Sequence, residues 1–146
     1  MDPLSQTAPT RLLLSADQLN QMRLHVLSRT PEEACGLVAG QRSPGGDATA
    51  CAVLEIPNQL HSPVRFRMDP QAQLEAFLVM EEAGWELVAI FHSHPNGPAY
   101  PSNTDLAEAC YPEALALIWS PEAGQWRCRG FRLEKGLAHE IALKIG

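Results

Sequence analysis

Short apolar segments alternate along this chain with segments of helical periodicity, and their order restricts the fold more than any other feature. Alternating or continuous apolar patterns predict strands, whereas apolar residues spaced by three and four predict helices. The predicted strands cover 11–14, 34–39, 49–56, 65–68, 86–91, 114–119, 126–133 and 140–145, and the predicted helices begin at 15, 69 and 102. This order predicts a layered domain of the α/β or α+β class.

Each predicted helix has a recognisable start. Ser15 is followed three residues later by Gln18, which is the pattern of a capping box. Asp69 precedes Pro70, and this pair favours a helix with Asp as N-cap and Pro at the first helical position. The third predicted helix covers 102–111, because the proline that follows cannot continue it.

Length and charge limit what the chain can be. Its 146 residues, of which 45% are apolar, suit one domain with one core. We expect residues 1–10 to form a flexible lead-in and residues 11–146 to form that single domain. The formal net charge of −6, without any Lys/Arg run longer than a pair, argues against a nucleic-acid or anionic-membrane partner. No apolar run exceeds six residues and no signal-peptide pattern is present, so we expect a cytoplasmic protein.

The four cysteines are isolated from one another. Cys35, Cys51, Cys110 and Cys128 form no C-x-x-C pair, which argues against a structural zinc site made of thiols. We expect them to be small buried side chains in a reducing compartment.

The strongest functional signal is the sequence His-Ser-His at 92–94, followed by Asp105. His92 and His94 lie at positions i and i+2 where a predicted buried strand ends, so both imidazoles face the same side. The proline-rich loop after them returns the chain to Asp105 in the first turn of a helix. Two imidazoles and one carboxylate form a three-ligand zinc site, which leaves a fourth position for water and so indicates catalysis.

Hydrolysis at such a site also needs a carboxylate that is not a ligand. Glu33 is the candidate base because it leads into a predicted strand, although Glu32 is an immediate competitor. The Ser102 hydroxyl is a candidate donor to the oxyanion of a tetrahedral intermediate. Ser102 and Asp105 also have the spacing of a capping box, and this structural role is compatible with the functional one.

These residues resemble the JAMM (MPN+) family of metalloproteases. The family signature is a glutamate on an early strand, then H-x-H, seven residues and S-x-x-D, and this chain has Glu33, His92, His94, Ser102 and Asp105 at those positions. The resemblance extends from about residue 12 to residue 145 and is greatest to the compact bacterial branch. It implies the MPN/JAMM fold, a mixed curved β-sheet flanked by about three helices and layered as in cytidine deaminases. It also implies one zinc ion per chain on the two histidines and Asp105, with Glu33 as base and Ser102 as oxyanion helper.

The resemblance further implies a zinc-dependent peptidase or isopeptidase. Its expected substrate is a ubiquitin-like or sulfur-carrier protein with a flexible C-terminal Gly-Gly tail, cleaved at the amide bond after the second glycine. The alternative is a binding module, either a catalytically inactive MPN scaffold or a RadC-like protein, since RadC-like chains also carry an H-x-H-P and S-x-x-D segment. The Glu-x-Cys-Gly-Leu segment at 33–37 and the acidic balance favour the peptidase.

Overall fold

A computed structural model describes residues 7–146 of the chain, and within them the strands and helices follow the predicted order except at 65–68, where no strand forms. The elements are β1 (Arg11–Leu14), α1 (Ala16–Arg29), β2 (Cys35–Arg42), β3 (Asp47–Ile56), α2 (Pro70–Ala83), β4 (Glu86–Ser93), α3 (Asn103–Ala107), β5 (Leu115–Glu122), β6 (Gln125–Glu134) and β7 (Leu137–Ile145). Among residues 7–146, no helix has the length and apolar character that crossing a membrane requires.

The seven strands form one mixed sheet that closes into a barrel. The strand order is β1-β3-β2-β4-β5-β6-β7, and β7 pairs with β1 to complete the circle. The pairs β1–β3, β1–β7 and β4–β5 are parallel, and the remaining pairs are antiparallel. The predicted mixed, curved sheet with three helices is confirmed, and its curvature is sufficient for every strand to have two neighbours.

The sheet is covered on both faces near β2. Val38 lies in a core cluster with Met22 and Val26 of α1, whereas Leu37 lies in a second cluster with Met80 of α2. Neighbouring residues of β2 therefore point to opposite faces and are buried on both. This explains why β2 reads as a continuous apolar run rather than an alternating one.

The predicted starts of α1 and α2 are confirmed. Ser15 accepts a hydrogen bond from Gln18 N, and the Gln18 side chain bonds back to Ser15 N, so the capping box is complete. Asp69 accepts from Ala72 N with Pro70 at the first helical position. The apolar side chains of α2 are not all buried. Ala76 and Met80 face the core, whereas the apolar side chains at 74, 78 and 79 are exposed.

One predicted strand does not form, the third helix is shorter than predicted, and several strand ends are displaced by two or three residues. Residues 65–68 form no strand, and only Met68 makes an isolated β-bridge, with Asn58. The third helix ends at Ala107 rather than near residue 111, because none of its residues is buried and packing does not extend it. β4 continues through His92 to Ser93, beyond the predicted end at residue 91.

The predicted flexible lead-in of residues 1–10 lies partly outside the described residues, since the structure describes only 7–10 of it. In this part, Ala8 is buried in the core cluster of α1, and Pro9 is buried as well. Thr10 N donates to the carbonyl oxygen of Gly46. Packed structure therefore begins before residue 11.

Close packing brings the start of β2 against β4. A Cβ atom added at Gly36 would overlap the ring of Phe91 and would lie 2.6 Å from the carbonyl oxygen of Leu54. Only glycine fits this position, because one of the two obstacles is backbone and cannot rotate away. The Gly36 position therefore fixes how closely β2 approaches its two neighbours.

Ser93 completes the connection between β2 and β4. Cys35 pairs with His92 in the antiparallel register. One residue further, Ser93 Oγ accepts from Ala34 N at 2.8 Å, and Ser93 N donates to the carbonyl oxygen of Ala34 at 3.0 Å. These bonds hold the residue before Ala34, Glu33, beside the histidine end of β4.

Candidate metal centre

Three of the predicted site residues bring their ligand atoms to one point. His92 and His94 lie at the end of β4, and the loop that follows returns the chain so that α3 presents Asp105 to them. The two Nε2 atoms are 3.2 Å apart, and each is 3.1 Å from Oδ2 of Asp105. Zinc ligands at about 2.0–2.1 Å from the metal are about 3.3 Å from each other in a tetrahedron. The observed triangle has nearly this size.

The hydrogen bonds of His94 fit a bound cation. Its Nδ1 lies 2.8 Å from the carbonyl oxygen of Pro98, so Nδ1 carries the hydrogen and donates it. Nε2 of the same ring faces Oδ2 of Asp105 at 3.1 Å. Burial disfavours a charged ring, but the hydrogen bonds with Asp105 and Pro98 and the nearby carboxylates outweigh it and raise the pKa of His94. The site therefore favours a positive charge at Nε2, which a proton or a metal ion supplies. Two imidazoles and a carboxylate are ligands that divalent metals such as zinc accept, so these residues fit a metal ion.

Asp105 combines a structural bond with its place in the triangle. Its Oδ2 accepts from Ser102 N at 2.8 Å, and Asp105 N donates to Ser102 Oγ at 3.0 Å, which completes the capping box of α3. Burial disfavours the carboxylate, but the hydrogen bonds with His92 and His94 outweigh burial and hold the pKa of Asp105 well below its usual range. Asp105 is therefore ionised and oriented, as a metal ligand must be.

His92 is held by an aromatic contact that the sequence did not predict. Burial lowers the pKa of His92, so its ring is neutral, which is the form that binds metal. The ring of Phe66 stacks on it with centroids 4.4 Å apart and an interplanar angle of 26°. Within the described residues, His92 Nδ1 is buried without a hydrogen-bond partner. The orientation of this ligand therefore depends on packing more than that of His94 does.

Glu33 lies beside the triangle. One carboxylate oxygen of Glu33 and one ring nitrogen from each histidine all lie within 4.8 Å of one another. The side chain is only 3% exposed, and its Oε1 has no hydrogen-bond partner in the part of the chain that the structure describes. Burial raises the pKa of Glu33 to about 7, opposed by the His94 charge and assisted by that of Asp105. A carboxylate with a pKa near neutrality, at about the distance of one water molecule from a metal site, can act as a general base.

Two different trios share the histidines, one completed by Asp105 and the other by Glu33. Asp105 Oδ2 lies 3.1 Å from both Nε2 atoms, whereas the Glu33 trio is defined only by separations of up to 4.8 Å. The tighter trio has the dimensions of a ligand shell, and we therefore treat Asp105 as the third ligand and Glu33 as a neighbour of the site.

The competing acid, Glu32, lies elsewhere. Its Oε1 is 3.5 Å from Nδ1 of His61, which is exposed. The main chain of Glu33, by contrast, is bonded on both sides, since Glu33 N donates to the carbonyl oxygen of Ser62 and its own carbonyl accepts from Asn58 Nδ2. Of the two acids, only Glu33 belongs to the candidate metal centre.

One family model matches most of the chain. It describes prokaryotic homologs of the JAB domain and matches residues 15–130, a range that contains all the predicted site residues. The chain belongs to this JAB family. The expected membership of the JAMM/MPN group, in its compact prokaryotic branch, is thereby confirmed.

Individual relatives of this JAB-family chain agree in length as well as in sequence. The CysO-cysteine peptidase of Mycobacterium tuberculosis is 34% identical over 135 residues, which cover 92% of this chain and 90% of that protein. A probable TtuB-protein conjugate cleaving protease of Thermus thermophilus is 41% identical over 128 residues, covering 87% of this chain and 78% of that protein. A solution structure of a Desulfitobacterium hafniense protein has a TM-score of 0.83 at 35% identity and covers 92% of each chain.

A cavity of about 310 Å³ opens beside the ligands of the JAB-family site. Its lining includes His92, Asp105 and the apolar side chains of Phe66, Ile90 and Tyr111. A larger hollow of about 770 Å³ lies between α1 and strands β6 and β7, and its lining contains none of the candidate site residues. The smaller cavity is therefore the relevant one, and its volume is at the lower end of that of ligand pockets.

The cysteines are free thiols, but they are not uniformly buried as expected. Cys35 is buried, its thiol contacts the carbonyl oxygen of Ile56, and burial together with nearby Glu33 raises its pKa to about 12. Cys110 is exposed, whereas Cys51 and Cys128 are half-buried. A thiol that stays protonated is inert, so Cys35 has a structural role at the start of β2.

Proposed function

We propose that this JAB-family protein is a zinc-dependent peptidase or isopeptidase. It hydrolyses the amide bond that follows the C-terminal Gly-Gly tail of a ubiquitin-like or sulfur-carrier protein. The observation that carries the proposal is the triangle of His92 Nε2, His94 Nε2 and Asp105 Oδ2 with the buried Glu33 carboxyl beside it. The group has the ligands for one zinc ion and a separate base, which are the two requirements of metal-assisted hydrolysis.

The names of the relatives support the substrate class. One is a CysO-cysteine peptidase, and another is named as cleaving TtuB-protein conjugates. Both cover most of this chain, so the likeness includes the whole of the candidate metal centre. The cavity of about 310 Å³ beside the ligands has room for part of an extended tail, and glycines without side chains suit a narrow approach. A cytoplasmic location, expected from the sequence, belongs to the same proposal.

The residues of the chain have separate tasks in this reaction. When bound, zinc would lower the pKa of a water molecule towards about 7 and polarise the scissile carbonyl. His92, His94 and Asp105 would hold the ion. Glu33 takes a proton from the attacking water and later delivers it to the leaving amine. The Ser102 hydroxyl, whose oxygen caps α3, retains its hydrogen for donation to the oxyanion of the tetrahedral intermediate.

The proposal is tested with a Gly-Gly-ended ubiquitin-like or sulfur-carrier domain that bears a short C-terminal peptide. Zinc-loaded protein is incubated with this substrate, and release of the extension is followed by mass spectrometry. We expect cleavage after the second glycine, one zinc ion per chain, and no cleavage of a matched substrate ending in Ala-Ala. A second substrate with an isopeptide-linked lysine identifies the leaving group.

Glu33→Gln separates catalysis from metal binding. The variant keeps the shape of the side chain but cannot accept the proton, so we expect one zinc ion per chain and a rate lower by about 10²- to 10⁴-fold. Full activity of this variant would exclude the proposed base. Absence of cleavage by zinc-loaded wild-type protein on all these substrates would instead favour the binding-module alternative.

A further inference from the structure

We propose that Asn58 is a positioning residue that sets the base and one metal ligand relative to each other. Asn58 follows β3 and is only 8% exposed. It does not belong to the metal-ligand triangle, and the four hydrogen bonds of its side chain all go to main-chain atoms. This inference rests on the proposed function for the part that concerns the rate, but not for the part that concerns zinc affinity.

The Asn58 carboxamide uses its whole hydrogen-bonding capacity. Nδ2 donates to the carbonyl oxygen of Glu33 and to that of Arg65, both at 3.0 Å. Oδ1 accepts from Leu60 N at 3.1 Å and from Arg67 N at 3.0 Å. A carboxamide has two donor hydrogens and two acceptor lone pairs, so no capacity remains. A buried amide with all four bonds made holds the segments around it in one arrangement.

One branch of this network reaches the proposed base. The carbonyl oxygen of Glu33 is bonded to Asn58, while Glu33 N donates to the carbonyl oxygen of Ser62. The Glu33 carboxyl itself has no side-chain partner for its Oε1 among residues 7–146. Its direction towards the two histidines therefore depends on the position of its main chain, to which Asn58 contributes together with Ser62 and the Ala34–Ser93 bonds.

The other branch reaches a metal ligand. Asn58 bonds the main chain on both sides of Phe66, through the carbonyl oxygen of Arg65 and the amide of Arg67. Residues 65–68 have no strand pairing other than the Met68 bridge to Asn58. Arg65 N also donates to Ser62 Oγ and Gln59 N donates to the carbonyl oxygen of Arg67, but Asn58 is the side chain that joins both sides of Phe66. That ring stacks on His92, whose Nδ1 has no hydrogen-bond partner in the described part of the chain. The Asn58 side chain thus influences the positions of both Glu33 and His92.

The test compares Asn58→Ala and Asn58→Asp with Gln18→Ala. Asn58→Ala removes all four bonds, whereas Asn58→Asp keeps the two acceptor bonds and replaces both donor bonds with repulsive contacts between oxygen atoms, so either variant that folds is informative. Gln18 is the matched control, because it is also a primary amide that joins two main-chain segments, donating to Ala50 O and accepting from Ser15 N. It lies on α1, near the opposite end of β3 from Asn58.

Zinc affinity is measured first, by competition with a chromogenic chelator, on protein shown to be folded by circular dichroism. We expect both Asn58 variants to bind zinc about tenfold or more weakly, since loss of support around metal ligands costs about 10–100-fold in affinity. The rate is then measured on the peptide-extended Gly-Gly substrate with saturating zinc. We expect kcat to fall about 10–100-fold with KM changed less than about twofold. The reason is that substitution of Asn58 displaces the base, whereas Asn58 itself does not contact the substrate. Gln18→Ala should leave both quantities within about twofold of wild type.

Asn58 variants that keep both zinc affinity and kcat within about twofold of wild type would overturn the proposal. An equal loss in Gln18→Ala would do the same, because it would show general destabilisation rather than positioning. If wild-type protein binds zinc and cleaves nothing, the proposed function fails, and the zinc affinities alone decide the role of Asn58.

Discussion

The helices α1 and α3 begin with the same local device, but only one of them carries part of the candidate metal centre. Ser15 and Gln18 form the capping box of α1, and Ser102 and Asp105 form that of α3. In both, the serine oxygen accepts from the third residue at 3.0 Å, and the third side chain bonds back to the serine amide at 2.9 Å or 2.8 Å. The N-cap dihedral angles are similar as well, with φ −83° and ψ 161° at Ser15 and φ −74° and ψ 167° at Ser102.

The difference lies in the third side chain and its further contacts. Gln18 is neutral, and its Nε2 donates a hydrogen bond to the carbonyl oxygen of Ala50 in β3. Asp105 is charged, and the oxygen that bonds to Ser102 also faces the Nε2 atoms of both histidines. A capping box orients the side chain at its third position, so an acid there becomes an oriented ligand once histidines converge on it. The capping box alone does not specify a function; the two histidines that lie beside Asp105 do.

Exchanging the charge between the two capping boxes should give the largest change, a loss of zinc affinity. Asp105→Asn keeps an oxygen for the Ser102 amide but removes the charged ligand, whereas Gln18→Glu makes the α1 box acidic. Zinc sites with about 10–16 kcal/mol of binding free energy share it among about four ligands, so we expect Asp105→Asn to weaken zinc binding by about 100- to 1,000-fold. Isothermal titration with zinc should show this loss, and Gln18→Glu should bind one ion with unchanged affinity. A second ion bound to the Gln18→Glu variant would refute the view that convergence is required.

The regions also differ in buried charge, which predicts a pH-dependent stability that arises from the metal centre. Burial raises the pKa of Glu33 from 4.5 to about 7. In metal-free protein the protonated carboxyl contributes stability that is fully present below pH 4.5 and is lost as the pH rises through about 7. This difference in pKa corresponds to about 3 kcal/mol of folding free energy. In chelator, we therefore expect Glu33→Gln to be more stable than wild type at pH 8 by about 3 kcal/mol more than at pH 4.

Urea unfolding at the two pH values measures this difference. Gln18→Ala is the control, because the capping box of α1 contains no titrating group. The effect of this substitution on stability should be the same at both pH values. An equal effect of Glu33→Gln at pH 4 and pH 8 would show that the carboxyl is not buried in the metal-free protein.

The two helix starts and the candidate ligands could be predicted from the sequence, because the motifs that form them are short. Each motif consists of residues within three positions of one another: Ser15 with Gln18, His92 with His94, and Ser102 with Asp105. Phe66 and Asn58 could not be predicted in this way, because their partners lie 26 and 25 residues away, at His92 and Glu33. No periodicity marks a side chain that acts on a distant main chain. The end of α3 was misplaced because none of its residues is buried, so no packing extends the helix as far as the proline at 112.

A smaller effect should separate the two serines. Ser15→Ala and Ser102→Ala each remove one cap bond, at a cost of about 1 kcal/mol in stability. Only Ser102 adjoins the metal centre, so we expect Ser102→Ala to lower kcat about 10- to 100-fold through loss of the oxyanion donor. Ser15→Ala should leave kcat unchanged. Steady-state kinetics on the Gly-Gly substrate, with zinc content measured in parallel, decide this; equal rates in the two variants would remove the proposed role of Ser102.

Removal of the metal should produce the smallest change, and it should be confined to α3. This helix has five residues and none of them is buried, whereas Met22 and Val26 anchor the 14 residues of α1 in the core. Without a metal ion, Asp105 is held only by hydrogen bonds, so the amides of 105–108 open more readily. We expect hydrogen exchange there to accelerate about tenfold in chelator, with α1 unchanged. Equal acceleration in both helices would mean that the ion stabilises the barrel as a whole, and that α3 is no more dependent on the metal centre than α1.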